Sequence, residues 1–146
     1  MHDLPHHYAV TAAASHDDNV DLTSEGLTRI SSAPPAEFGG PGDLWSPETL
    51  LIAAVADCFV LTFRAIARAS KLDWISLNCD AAGTLDRVEK VTRFTEIKLR
   101  AVLEVPQASD EKTALRLLEK AEQHCLITNS MTSECHLDAT VQVASQ

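Results

Sequence analysis

A chain of 146 residues is long enough for one domain with a sizeable core, and a single domain over residues 1–146 is expected. Apolar residues at 45% and charged residues at 23% are ordinary for a globular protein and exclude a disordered one. A net charge of −9 argues against a nucleic-acid backbone or an anionic membrane surface as partner. No basic stretch followed by an apolar one opens the chain, so a cytoplasmic location with reduced cysteines is expected.

Tyr8 to Ala14 and Val20 to Leu22 read as short strands, with His16-Asp17-Asp18-Asn19 as the turn between them. Leu27 to Ile30 reads as a third strand. Ala33 to Trp45, dense in Pro and Gly, reads as an irregular loop. Ser46 then caps a helix whose first residue, Pro47, needs no N–H there. From Leu50 to Phe63 only Asp57 and Thr62 interrupt an apolar run, which predicts a helix buried on nearly all sides. The run is shorter than the roughly 20 apolar residues of a membrane span.

Beyond that helix, Ile75, Leu77, Cys79 and Ala81 alternate with polar residues, and so do Ile97, Leu99, Ala101, Leu103 and Val105. Two such strands joined by the polar segment LDRVEKVTR predict an antiparallel hairpin. Ser109 or Asp110 opens a second helix running to about Cys125, with Ala114, Leu117, Leu118, Ala121 and Cys125 on one face. LITNSM reads as a short connection, and Cys135 to Val143 alternate as a last strand. The order strands, helix, hairpin, helix, strand is that of an α+β domain.

Four cysteines remain to be placed. Cys79 and Cys135 fall on the inward phase of strands, as small core hydrophobes do. Cys58 and Cys125 lie on apolar faces of two helices, where each is either core filler or half of a dithiol. No two cysteines are closer than ten residues, so there is no metal-binding CxxC and no metal site is expected. Cys58 lies about 18 Å from the start of its helix at 1.5 Å per residue, too far for the helix dipole to ionise it. Burial in apolar surroundings would raise its pKa, so a reactive thiolate there requires a cation or several donors from outside the helix.

The segment WSPETLLIAAVADCFVLTFRAIA resembles the osmotically induced / organic hydroperoxide resistance (OsmC/Ohr) family. That family opens a long helix with N-P-E-x-L and carries its reactive cysteine ten residues after the Glu, the interval between Glu48 and Cys58. AEQHCLITNS resembles the family's second cysteine segment and gives that place to Cys125. The resemblance implies an OsmC-like fold, with curved sheets wrapped around two long central helices in an intertwined homodimer. It implies a thiol-dependent peroxidase that needs no cofactor, with Cys58, Cys125 and Glu48 as catalytic residues. Cys58 would reduce an organic hydroperoxide and become a sulfenic acid, and Cys125 would resolve it as a disulfide. A dithiol reductant of lipoyl type, or a small thiol, would then restore both.

In the family the Glu orients an arginine that activates the thiolate. Neither AAASHDD nor SSAPPAEFGGPGDLW contains an arginine, which leaves Arg29 and His16 as the N-terminal cationic candidates. On an unbroken helix Glu48 stands about 15 Å along the axis from Cys58, so it is expected to act through a partner subunit. Two other readings stay open: a non-enzymatic dimer that binds a small apolar ligand, and a redox-sensing thiol pair.

Overall fold

The computed structural model describes residues 1–145. The chain divides into two compact units, Met1–Leu51 and a second that begins at Ile52. In the first, β1 (Thr11–Ala13), β2 (Val20–Thr23) and β3 (Ile30–Ser32) form an antiparallel meander. The third strand begins where the expected Leu27 to Ile30 segment ends, because Gly26 takes a positive φ of 77° and Leu27 closes a turn onto Ser24. The Pro- and Gly-rich loop carries one turn of 3₁₀ helix, Ala36–Phe38, which Gly39 ends at φ 87°. A single bridge joins Ser32 to Trp45.

Helix α1 (Pro47–Ala69) starts as its sequence dictates. The Thr49 amide donates to Ser46 Oγ at 3.1 Å and the Ser46 amide donates to Thr49 Oγ1 at 2.8 Å. Two amides that a helix start leaves unpaired are thus satisfied reciprocally.

In the second unit, β4 (Ser76–Val88), β5 (Val91–Val105) and β6 (Glu134–Val143) form one sheet in that order. β4 and β5 are antiparallel, and β6 runs parallel to β5. The hairpin is longer than its hydrophobic alternation. Pairing continues through LDRVEKVTR to a two-residue turn at Glu89 and Lys90, with φ of 50° and 69°. Positive φ at both turn residues matches the twist of the strands, and the register shifts by one residue between Thr84 and Leu85, where Thr95 of β5 has no pair.

The core is a layer of helix on sheet. Val55, Phe59, Phe63 and Ala67 recur every four residues along α1 and are fully buried. They belong to one cluster with the inward residues of β5 and with Ala114, Leu117, Leu118 and Ala121 of α2 (Glu111–Gln123). Phe63 meets Trp74 edge to face, with ring centroids 5.4 Å apart. One stripe of α1 is therefore buried rather than all its sides, and Leu61 is 48% exposed. A 3.6-residue period turns only part of a helix toward one sheet. α1 spans 23 residues, and its most apolar stretch has a mean hydropathy of 2.1.

α2 ends at Gln123, two residues before the expected end. LITN is not a plain connection but a one-turn helix, α3 (Leu126–Asn129).

Candidate active site

The break between α2 and α3 puts the second cysteine in a particular role. Cys125 leaves the helical region (φ −67°, ψ 109°) to become the residue that precedes α3, and it is fully buried. Its carbonyl accepts the Asn129 amide at 3.0 Å and the Thr128 hydroxyl at 3.1 Å. The first amides of α3 have no partner within so short a helix. Those of Leu126 and Ile127 act on Cys58, on α1, where they lower the pKa of its thiol.

Cys58 is half-buried, and its Sγ lies 3.7 Å from Thr62 Oγ1, one turn further along the same helix. Burial pushes the Cys58 thiol up. The Ile127 amide, the Cys125 thiol, the Thr62 hydroxyl and the Leu126 amide act against burial and together hold the thiol below its ordinary value. Each of these donors favours the charged sulfur. At Cys125 the balance is reversed. Burial pushes it up, the amide and hydroxyl of Thr128 pull it down, and the hydrogen bond and charge of Cys58 push it further up. The two thiols are therefore shifted in opposite directions, and Cys58 is the more easily ionised of the pair.

The other two cysteines differ in kind. Burial pushes Cys79 up to about 11, with Asp80 adding to the effect. Burial and the neighbouring Glu122 carboxyl push Cys135 up to about 12. Both stay protonated at neutral pH.

Glu48 is half-buried in the first unit, and among the described residues its Oε1 is buried without a hydrogen-bond partner. The two cationic candidates are engaged locally. Arg29 Nη1 lies 3.4 Å from Asp21 Oδ2, and His16 Nδ1 lies 2.6 Å from Asp17 Oδ1, all at exposed positions. Among the described residues no three His, Cys, Asp or Glu side chains gather as a metal site requires.

Sequence reasoning reached both sulfurs but missed what surrounds Cys58. The Thr62 hydroxyl was visible only as an interruption of an apolar run. The Leu126 and Ile127 amides carry no side-chain signal, since any residue but proline supplies an N–H.

Comparison with known proteins gives the family and the fold. Residues 40–140 match the family described as OsmC-like protein. The uncharacterized protein YmaD of Bacillus subtilis (strain 168) is 27% identical over 147 residues, which cover 97% of this chain and 98% of YmaD. An OsmC-like protein of unknown function from Vibrio cholerae, VCA0330, superposes with a TM-score of 0.85 at 18% identity, covering 93% of this chain and all of that one. An organic hydroperoxide resistance protein from Elizabethkingia anophelis gives 0.73 at 22% identity, covering 97% of this chain and all of that one. The two structures share the α+β fold, and the match to 40–140 spans most of the chain. By that match, the protein belongs to the OsmC-like family.

Proposed function

We propose that the protein is a thiol-dependent peroxidase that reduces organic hydroperoxides. The observation that carries this reading is the asymmetry of the two sulfurs, with the Cys58 thiol held below its ordinary pKa and the Cys125 thiol pushed above it. A structural hydroperoxide-resistance relative supports the substrate class. The Cys58 thiolate attacks the terminal oxygen of ROOH. The S–O bond forms as the O–O bond breaks, and the leaving alkoxide takes a proton to become ROH. Cys58 is oxidised to sulfenic acid and the peroxide is reduced to the alcohol. The Cys125 sulfur, once deprotonated, displaces hydroxide from the sulfenic sulfur, giving a Cys58–Cys125 disulfide and water. A dithiol of lipoyl type, or a small thiol, returns both cysteines to the reduced state.

Glu48 belongs to the same proposal through its Oε1, buried without a hydrogen-bond partner among the described residues. A second copy of the chain would bring that oxygen a cation or a donor, so the working form is a homodimer, placed in the cytoplasm. The test follows consumption of an alkyl hydroperoxide in the presence of dithiol. Cys58→Ser abolishes consumption, and Cys125→Ser leaves a trappable sulfenic acid on Cys58. Equal consumption by wild type and Cys58→Ser would overturn the reading. A thiol pair that only senses oxidation uses the same geometry. It would form the disulfide once per chain and show no turnover with dithiol present.

A further inference from the structure

Thr62 sits in the middle of an otherwise apolar run, on the turn of α1 that follows Cys58. Helical side chains lean toward the N-terminus of their helix, so a hydroxyl at i+4 reaches back over residue i. Within a helix a threonine hydroxyl commonly turns to the carbonyl four residues earlier. Here its partner is the sulfur of that residue, at 3.7 Å. The residue is half-buried, so the contact is partly shielded from water. Branching at Cβ limits the threonine to two χ1 rotamers within a helix, and the one adopted here sets the hydroxyl against the sulfur.

We propose that Thr62 is a positioning residue for the Cys58 sulfur: its hydroxyl fixes the sulfur's orientation and donates a hydrogen bond to the thiolate. A thiolate can only accept, so the direction of the bond is set in the reactive state. The other donors on Cys58 come from the segment after α2. Thr62 is the donor carried by the same helix as the nucleophile. The proposal concerns the sulfur assigned above as nucleophile, but it does not require that peroxide be the substrate.

The test is the pH profile of Cys58 alkylation by iodoacetamide, read by peptide mapping in wild type, Thr62→Val and Thr62→Ser. Valine keeps the shape and removes the donor, while serine restores it. Thr62→Val alkylates about tenfold more slowly at neutral pH, the low end of the range for a hydrogen bond to a charged group. Its rate rejoins wild type at the alkaline plateau, and Thr62→Ser follows wild type throughout. A Thr62→Val profile superimposable on wild type overturns the proposal. So does a loss that persists at the alkaline plateau, or one that serine does not repair, because packing alone would then account for it. Since the readout needs no peroxide, a wild type that alkylates as described but consumes no hydroperoxide would refute the proposed function and leave this inference standing.

Discussion

At Cys58 two effects of opposite sign act on one sulfur, and the donors win. Withdrawal from water favours the neutral thiol, whereas the Ile127, Cys125, Thr62 and Leu126 donors favour the thiolate. Cys79 and Cys135 suffer the same withdrawal without that set of donors and end near 11 and 12. Alkylation at neutral pH is therefore expected to label Cys58 first and to leave Cys79 and Cys135 unlabelled in the folded protein. Peptide mapping over time checks the order. The raised pair also sets an alkaline limit. Thiols whose folded pKa exceeds the unfolded value of about 8.5 contribute stability that is fully present below it. That contribution declines as pH rises toward 11 and 12. Denaturant midpoints should fall over this range, and less steeply in Cys135→Ala.

At the scale of elements, the site depends on where α2 stops. Had the helix continued to Cys125, the Leu126 and Ile127 amides would have pointed along its axis. The break instead makes Cys125 the residue before α3, with extended backbone angles that a following proline accepts. Leu126 is 66% exposed and holds the first helical position, where proline is tolerated. Leu126→Pro thus removes one donor and sets the ring Cδ where the amide hydrogen was. It is expected to shift the alkylation profile of Cys58 toward higher pH and to lower thermal stability, as proline does where an N–H was bonded.

This is also where sequence reasoning reached its limit. The capped start of α1, the β4–β5 hairpin and the parallel last strand's alternation all follow from side-chain pattern, which is what periodicity reports. The break at Cys125 and the amides beyond it are backbone events. The segment LITN has no glycine or proline to announce them. Gly83 illustrates a packing requirement that pattern also hides. A Cβ there would stand 2.5 Å from Ile52 Cδ1 and 3.0 Å from the Phe94 ring. Gly83→Ala is expected to lose about 1–3 kcal/mol, as overpacking does, measured by denaturant titration.

For the whole molecule, α1 poses the main question. Its stripe of Val55, Phe59, Phe63 and Ala67 is fully buried, and Phe59→Ala is expected to lose about 3–5 kcal/mol. Its other faces keep apolar side chains such as Leu61 exposed in the single chain. A homodimer would cover them and give Glu48 Oε1 a partner. Sedimentation is expected to show a dimer, and Leu61→Glu is expected to shift it toward monomer.

The central claim is that Cys58 and Cys125 form one working redox pair. The most direct measurement treats the reduced protein with one equivalent of an alkyl hydroperoxide, blocks the remaining thiols and maps the cysteines by mass spectrometry. The account predicts a disulfide joining Cys58 to Cys125, with Cys79 and Cys135 recovered as blocked free thiols. Recovery of Cys58 and Cys125 as free thiols, or a disulfide that pairs either with another cysteine, would contradict it.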